Sequence, residues 1–402
     1  MNKGKNILIA QGGGPTNVIN QSLCGIIIES KKKRYNIYGA LNGVRGLIDS
    51  KLLPLNNLKP KELELIANSP GSILGSTRDK PDEKYCIEII KVLQEKEISK
   101  FFYIGGNDSS DSLKIISERI DNRSKIQCIH VPKTIDNDLL HNDHTPGFGS
   151  AAKYVALLFS GINYDVRSLP GVYIGIVMGR NAGFLTASST ILRKTKSDGP
   201  HLVFVPEQPF SEKFFLDRVK EYYNRYGRCI IAVSEGIKVS KKKLFSEKIK
   251  KEKEFDAHGN LQLSGTGILG DYLSHLIKTK LKISRVRADT LGYPQRCFPN
   301  SVSEVDQIEA FQIGQNAVIE SVKNVNSFSI GISERKKFTG KYLTKFHLNK
   351  LENIAGKTRV MPKKFLSQNR SYVSKSFIDY AKPLIGKNIP TVYDFSKSSI
   401  LK

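Results

Sequence analysis

The chain has 402 residues, of which 39% are hydrophobic and 25% charged. This length suggests two domains of ordinary size, and the apolar content is sufficient for folded cores, which excludes a wholly disordered chain. No run of roughly 18 apolar residues occurs, so no membrane-spanning helix is expected. The formal net charge of +25 favours anionic partners, which include phosphorylated metabolites, nucleic acid and membrane surfaces.

The cysteines and the N-terminus both bear on location. Five cysteines stand far apart without a CxxC pair, so neither a zinc site nor a disulfide framework is predicted. The apolar segment 7–10 follows Met1 too closely for a secretory signal peptide. We therefore expect a cytoplasmic protein. The absence of tryptophan and of interleaved arginine and aromatic residues argues against nucleic acid as the main partner.

Short apolar runs rich in β-branched residues alternate with segments of helical period. The predicted strands are 7–10, 101–104, 128–131, 172–177, 201–205 and 229–233. Helical periodicity predicts helices at 16–29 and 376–385. Near-continuous apolar strands that alternate with helices predict an α/β fold with mainly parallel sheets covered on both faces. In such folds ligands bind beyond the carboxyl ends of the strands, so the loops that follow the strands are the places to look for chemistry.

The first strand is followed by the loop QGGGPTN at 11–17 and then by a helix. Consecutive glycines let the backbone approach an anion closely, and the N-terminus of a helix adds partial positive charge. The alternative is a turn in which the glycines only permit tight packing. The loop is neither a dinucleotide-binding GxGxxG motif nor a P-loop.

The second loop is GGNDS at 105–109, directly after a predicted strand. Its glycines again permit close backbone approach, and Asp108 places a carboxylate at the loop tip. A carboxylate in a phosphate loop is useful if it holds Mg²⁺ or repels a surplus phosphate. In the alternative interpretation, residues 107–109 only cap a helix predicted at 110–120.

The third loop is PKTIDND at 132–138. Two carboxylates two residues apart, beside a lysine, form a unit in which one accepts a proton and the other a metal, while Lys133 neutralises phosphate oxygens. Phosphoryl transfer requires little else from a protein beyond positioning and charge stabilisation. An ordinary turn, for which Asp-Asn-Asp is suitable, is the alternative.

Two later segments complete the pattern. MGRNAG at 178–183 follows a strand and opens a helix, and Arg287 precedes LGYPQR at 291–296. Two arginines and a tyrosine hydroxyl can bind a phosphate through bidentate, charge-assisted hydrogen bonds. Each arginine alone would more often be structural. Five loops that all suit phosphate predict a phosphate-handling site.

In this order and spacing, the motifs GGNDS, PKTIDND, MGRNAG and LGYPQR resemble those of the phosphofructokinase family. The resemblance runs from the first glycine loop to Arg296 and continues more loosely to 383–386. The segment 256–265 also resembles a stretch found in pyrophosphate-dependent members. Asn107 departs from the family, because it replaces the first acidic residue of the more familiar GGDD motif.

The resemblance implies two doubly wound, Rossmann-like domains with the active site in the cleft between them. Residues 1–146, completed by part of 296–345, would bind the phosphoryl donor. Residues 147–295 would bind the sugar phosphate and carry a lysine-rich insertion at 239–260, which we expect to be an exposed loop or hairpin. Residues 346–402 would form a basic C-terminal extension.

The resemblance also implies an activity: Mg²⁺-dependent, reversible transfer of a phosphoryl group from pyrophosphate to the 1-hydroxyl of fructose 6-phosphate, in glycolysis or gluconeogenesis. Asp136 would be the base, and Lys133 and Arg180 would stabilise the transferring group. The implied donor-binding residues are Gly13, Gly14, Arg78, Gly106, Asn107, Asp108 and Lys133. The implied acceptor-binding residues are Thr134, Asp136, Asp138, Met178, Gly179, Arg180, Glu207, Arg287, Tyr293 and Arg296. Mg²⁺ would be held by Asn107, Asp108 and Asp138.

Arg287 corresponds to an arginine that family members lend to a neighbouring subunit, which implies a homo-oligomer. Asp108 decides the donor, because ATP-using relatives generally have glycine at this position. At an effective dielectric near 20, two like charges roughly 4 Å apart repel by about 4 kcal/mol, which disfavours the α-phosphate of a nucleotide. We therefore predict pyrophosphate as donor.

Three alternatives stay open. Two keep the fold: an ATP-dependent enzyme, and a pyrophosphate-dependent enzyme that acts on sedoheptulose 7-phosphate. The third is an inert phosphate sensor or a basic nucleic-acid-binding protein. The intact Lys133, Asp136 and Asp138 argue against the inert sensor, because a binding-only role needs no base.

Overall fold

The computed structural model describes residues 6–120, 126–240, 243–245, 267–335 and 344–391. The strands are β1 (Asn6–Gln11), β2 (Asn36–Ala40), β3 (Leu52–Pro54), β4 (Ile98–Gly105), β5 (Gln127–Pro132), β6 (Val172–Val177), β7 (Leu202–Phe204), β8 (Cys229–Ser234), β9 (Lys238–Ser240), β10 (Lys243–Leu244), β11 (Val286–Thr290), β12 (Phe328–Ile332) and β13 (Phe346–Asn349). The α-helices are α1 (Ile19–Lys32), α2 (Gly43–Ile48), α3 (Pro60–Asn68), α4 (Glu83–Glu95), α5 (Asn107–Arg119), α6 (Phe148–Ser168), α7 (Phe184–Ala187), α8 (Glu212–Tyr226), α9 (Ile268–Leu281), α10 (Pro294–Cys297), α11 (Glu304–Lys323), α12 (Leu351–Ile354) and α13 (Lys375–Ala381).

Two sheets organise the molecule. The first has seven strands in the order β13-β12-β5-β4-β1-β2-β3, and only its two edge strands, β13 and β3, run antiparallel to their neighbours. The second has four parallel strands in the order β11-β6-β8-β7. The predicted α/β fold with mainly parallel sheets is confirmed.

Both faces of each sheet are covered, which explains the near-continuous apolar strands. In β1, Ile7 and Ile9 belong to one core cluster, whereas Leu8 and Ala10 belong to the cluster on the opposite face. Each of these side chains is fully buried. Burial of an isoleucine or leucine side chain contributes about 1.5–3 kcal/mol, so the sheets hold the loops at their carboxyl ends firmly in place.

The predicted strands all form, and β6 has the predicted bounds. Helix α1 begins at Ile19 and not at residue 16 as predicted. The reason lies in the preceding residues, which contact other loops. The carbonyl of Thr16 accepts a hydrogen bond from the Gly71 amide at 3.1 Å, and the Asn17 side chain donates to the Phe298 carbonyl at 3.1 Å.

The C-terminal part of the described chain packs into the body of the molecule. Strand β13 forms one edge of the first sheet, and Phe365 and Phe377 are buried in the core cluster that contains α6 and one face of the second sheet. The helix predicted at 376–385 is α13 followed by a 3₁₀ turn, Lys382–Ile385. The division into domains, with residues 346–402 as a basic C-terminal extension, stays a prediction.

The lysine-rich insertion at 239–260 starts within a short hairpin, in which β10 pairs antiparallel with β9. Residues 241–242 and 246–260, together with the segment 256–265, lie outside the described residues. In the part of the chain that the structure describes, no helix is both long and apolar enough to cross a membrane.

A buried ionic network joins the loop after β5 to helix α11. The imidazole of His144 lies 2.8 Å from an Asp143 carboxylate oxygen and 2.6 Å from a Glu309 carboxylate oxygen. Burial would lower the pKa of His144, but Glu309 and Asp143 outweigh burial and raise the pKa to about 9. Arg335 donates to the same carboxylate of Asp143 at 2.6 Å. The fold therefore prefers the protonated form of His144.

Because the pKa of His144 is raised, its stabilising contribution should be complete below its unfolded pKa and should disappear as the pH rises through about 9. We expect the difference in unfolding free energy between wild type and His144→Gln to shrink by about 3 kcal/mol between about pH 6 and about pH 10. Chemical denaturation across this range measures it. The exposed His275→Gln on α9 is the control, and a difference independent of pH would contradict a protonated His144.

Candidate active site

Loops from both sheets meet in one place. Arg296, which follows β11 of the second sheet, lies against Gly14, which follows β1 of the first, so a Cβ atom at Gly14 would be 3.2 Å from the guanidinium carbon. Asp136, after β5, is within electrostatic reach of Arg180, after β6. The predicted site residues that follow different strands therefore converge between the two sheets.

In the first glycine loop, two amides are hydrogen-bonded within the protein, and neighbouring atoms leave little room for side chains. The amide of Gly12 donates to the Ile104 carbonyl, and that of Gly13 donates to the Thr77 carbonyl, each at 2.9 Å. These two N–H groups are therefore engaged within the protein, contrary to the expectation that they face an anion. A Cβ atom at Gly12 would lie 2.5 Å from the Tyr103 hydroxyl oxygen, and Gly13 has a φ of +74°.

Lys133 connects the loops after β1, β4 and β5. Its ammonium group donates to the Gly14 carbonyl at 2.6 Å, and its amide donates to the Gly105 carbonyl at 2.9 Å. Burial, together with the nearby Arg296, lowers the pKa of Lys133 to about 7, although Asp136 opposes the shift. A phosphate anion bound beside Lys133 would favour its charged form.

The second glycine loop brings an amide next to a carboxylate. Helix α5 begins at Asn107, and Gly106, in extended conformation, is its N-cap, so the predicted capping role of 107–109 is wrong. The Asn107 side-chain amide donates to an Asp138 carboxylate oxygen at 3.0 Å. The Oδ1 atom of Asn107 is buried and has no hydrogen-bond partner among the described residues. This oxygen and the Asp138 carboxylate are ligands of the type that Mg²⁺ prefers.

Asp108 lies in the first turn of α5 with its side chain 54% exposed, and one carboxylate oxygen is 3.6 Å from the Lys80 ammonium. The surrounding water and the Lys80 ammonium both weaken the electrostatic field of the Asp108 carboxylate. In water, like charges at about 4 Å repel by about 1 kcal/mol, so the larger repulsion inferred from the sequence is an overestimate for this exposed group.

The two aspartates of PKTIDND are both in a low-dielectric environment. Burial raises the pKa of Asp136, and the rise is opposed, without being cancelled, by the cations Arg296, Arg180, Lys133 and Arg78. Burial and the neighbouring Asp136 also raise the pKa of Asp138. The hydroxyl of Thr134 accepts a hydrogen bond from the Asp136 amide at 3.1 Å and so shapes the turn.

On the side of the second sheet, the loop after β6 is held by residues from two other loops. The Met178 amide donates to the side chain of the buried Gln295 at 3.1 Å, and the Gly179 amide donates to Glu235 at 3.4 Å. Gly179 has a φ of +137°, which L side chains rarely adopt. Gln295 lies within the motif LGYPQR, but the sequence did not indicate which residue of that motif would be buried and would hold the loop after β6.

Glu207 lies three residues after the end of β7, and only one of its two carboxylate oxygens has a hydrogen-bond partner among the described residues. Its Oε1 atom accepts hydrogen bonds from the Gly183 and Met361 amides, both at 2.9 Å. Its Oε2 atom is buried, with no partner in the described ranges. Burial raises the pKa of Glu207. An unpartnered buried oxygen of this kind suits the hydroxyl group of a bound ligand.

The remaining predicted site residues lie at different distances from the cluster around Asp136 and Lys133. The Arg296 guanidinium lies 4.6 Å from the centre of the Tyr293 ring, which is itself exposed. Arg78 lines a cleft of about 380 Å³ beside the first glycine loop. Arg287 is exposed on the edge strand β11 and donates to the Val286 carbonyl at 3.2 Å. Arg287 is therefore not joined to the cluster of its own chain by any contact found among the described residues.

The turn between the two aspartates is contacted by a part of the chain that the sequence did not single out. The Asn137 side chain donates to the Tyr380 hydroxyl at 2.8 Å, and the Arg359 guanidinium donates to the Asn137 side chain at 3.3 Å. These partners are separated from Asn137 by more than 200 positions, so no local pattern could reveal them.

A sequence model of the phosphofructokinase family matches residues 6–320, and the chain belongs to this family. It is 51% identical, over its whole length and 99% of the relative's, to the pyrophosphate–fructose 6-phosphate 1-phosphotransferase of Rhodospirillum rubrum. An enzyme of the same name from Xanthomonas campestris is 31% identical over 96% of this chain and 93% of its own. The crystal structure of the pyrophosphate-dependent phosphofructokinase from Marinobacter aquaeolei superposes with a TM-score of 0.83 at 28% identity, covering 99% of this chain and 97% of that chain. The resemblance that the motifs indicated is confirmed.

Proposed function

We propose that this protein transfers a phosphoryl group from pyrophosphate to the 1-hydroxyl of fructose 6-phosphate, giving fructose 1,6-bisphosphate and phosphate, in a reversible reaction of glycolysis or gluconeogenesis. The observation that carries the proposal is the convergence of the half-buried Asp136 with Lys133, Arg180 and Arg296 between the two sheets. The names of the full-length relatives support the choice of donor and acceptor.

In the proposed reaction, each group has a task. Asp136 takes the proton of the 1-hydroxyl, and the resulting oxygen attacks the nearer phosphorus of pyrophosphate while the bond to the leaving phosphate breaks. The raised pKa of Asp136 makes it a stronger base, and the surrounding cations keep it ionised. Lys133 and Arg180 stabilise the charge on the transferring group, which is the main demand of phosphoryl transfer.

We further propose that Mg²⁺ assists, held by Asn107, Asp108 and Asp138. The buried, unpartnered Oδ1 atom of Asn107 beside the Asp138 carboxylate fits this ion. Among the described residues no group of three or more His, Cys, Asp or Glu could hold a metal. Mg²⁺ does not need such a group, because it usually binds through one or two carboxylates and completes its shell with substrate phosphates and water. When bound, the ion would neutralise charge on the phosphates.

We propose that the acceptor binds toward the second sheet, where Glu207 would accept a hydrogen bond from a sugar hydroxyl and Arg296 and Tyr293 would bind the 6-phosphate.

The free cysteines, four of them buried, fit the reducing cytoplasm that we propose as the location. Fractionation of the native cells, with the protein found outside the cytoplasm, would contradict that location.

Replacement of the base should remove turnover while sugar-phosphate binding survives. We expect Asp136→Asn to lower kcat by about 10³-fold, because a positioned base contributes on this scale. Steady-state kinetics and calorimetric titration with fructose 6-phosphate measure the two effects. Asp165→Asn, an exposed change on α6, is the control, and a variant at Asp136 with near-normal kcat would exclude it as the base.

The donor can be tested with two variants of Asp108. Asp108→Asn removes the charge at almost constant size, whereas Asp108→Gly removes both charge and bulk. Because the charge is exposed, we expect Asp108→Asn to raise kcat/KM for ATP by only about fivefold, corresponding to about 1 kcal/mol, and Asp108→Gly to raise it further. If neither variant uses ATP better than wild type does, Asp108 does not select the donor.

We propose a homo-oligomer in which Arg287 completes the site of a neighbouring subunit, since it is exposed on β11 and stands apart from its own cluster. Co-expression of Asp136→Asn with Arg287→Ala tests this arrangement. In a two-fold dimer half of the assemblies are mixed, and each mixed dimer has one intact site of two, so about a quarter of wild-type activity should return. Activity that stays at the level of the separate variants would mean that the site is not shared.

A further inference from the structure

The residue between the two aspartates has an unusual backbone conformation. Asn137 has a φ of +57° and is completely buried. A residue with a side chain keeps this left-handed conformation in the interior only when its surroundings hold it there. Because Asn137 lies between Asp136 and Asp138, its conformation determines the direction in which both carboxylates leave the backbone.

The side chain of Asn137 is held through both of its polar atoms. Its Nδ2 atom donates to the Tyr380 hydroxyl at 2.8 Å. Its Oδ1 atom accepts from the Thr145 amide at 3.1 Å and from the Arg359 guanidinium at 3.3 Å. Two of these three partners belong to the C-terminal part of the chain.

Tyr380 is itself fixed in place. Its hydroxyl donates to the Asp143 carbonyl at 2.6 Å, so the oxygen both accepts and donates a hydrogen bond. Its ring lies 4.9 Å from the Phe365 ring and 4.9 Å from the Arg335 guanidinium carbon. A rigid aromatic side chain with a satisfied hydroxyl is a suitable support for a strained turn.

The same part of the chain contacts two further site residues through its backbone. The Arg359 amide donates to the Asp138 carbonyl at 2.7 Å, and the Met361 amide donates to Glu207 at 2.9 Å. These contacts all come from beyond residue 320, where the match to the family ends.

We propose that Tyr380 and Arg359 are positioning residues, which act through Asn137 to hold Asp136 and Asp138 in the orientation needed for phosphoryl transfer. The inference rests on the proposed function, because it assigns the C-terminal segment a role in that site. Supports of this kind matter because small displacements of a reacting group reduce the rate strongly even when binding persists.

The smallest informative change is Tyr380→Phe, which removes one hydroxyl and keeps the ring. We expect kcat to fall about tenfold, while KM for fructose 6-phosphate changes by less than about twofold, because the turn places the reacting groups. Tm should fall by no more than about 4 °C, which separates misplacement from unfolding. Tyr226→Phe on α8, which removes a hydroxyl outside the contacts of the turn, should change neither constant. Unchanged kcat in Tyr380→Phe would overturn the proposal.

A double-mutant cycle shows whether Tyr380 acts through Asn137. Glycine adopts a φ of about +57° without strain and has no side chain to hold, so Asn137→Gly disconnects the turn from Tyr380. In that background, we expect Tyr380→Phe to lower kcat by less than about twofold. A full tenfold loss there would mean that Tyr380 works by another route, and the proposal would be wrong.

Hydrogen exchange tests the same idea without activity. The amides of residues 134–140 should exchange faster in Tyr380→Phe than in wild type and in Tyr226→Phe, because the turn has lost a support. Absence of turnover by wild type with pyrophosphate and fructose 6-phosphate would reject the proposed function alone. Unchanged exchange in Tyr380→Phe would reject the positioning role, whatever the activity.

Discussion

The structure depends on the mutual burial of opposite charges between the two sheets. Asp136 and Asp138 are costly to remove from water, and so are the cations that surround them. Lys133 is the centre of this arrangement, because its ammonium group is buried, bonded to the Gly14 carbonyl and close to both Asp136 and Arg296. The raised pKa values of the carboxyl groups and the lowered pKa of the lysine have the same cause, which is the loss of water around them.

This arrangement explains why a phosphate ligand suits the cleft. Cations from the loops after β5, β6 and β11, together with Arg78, surround Asp136, and these four cations outnumber the two carboxylates of the turn. A bound diphosphate would offset this excess of positive charge with its own negative groups. The fold thus supplies a site whose electrostatic energy improves when substrate enters.

Much of the fold was predictable because its signal is local. The apolar strands follow from composition, and the loops after them follow from the rule that ligands bind at carboxyl ends of parallel strands. Two local predictions were wrong, the first because of contacts remote in sequence and the second because of the backbone conformation next to the helix. Helix α1 starts late because Thr16 and Asn17 bond to other loops, and Gly106 rather than the following residues caps α5.

The site was predictable to the extent that its residues lie in motifs. The exposure of the side chains was not predictable. The Asp108 side chain is 54% exposed, which weakens the electrostatic argument drawn from the identity of the residue alone. Arg359 and Tyr380 could not be found, because neither lies in a motif and their partner Asn137 is more than 200 positions away. Such supports are visible only once the chain is folded.

The contact between Tyr380 and Asn137 has a consequence for biosynthesis. Every motif of the site has left the ribosome long before residue 380 is translated, yet the turn that carries the two aspartates acquires its last hydrogen-bond partner only then. A nascent chain can thus display the complete set of chemical groups while the turn still lacks its support, so assembly of the centre is completed only after residue 380 has been added.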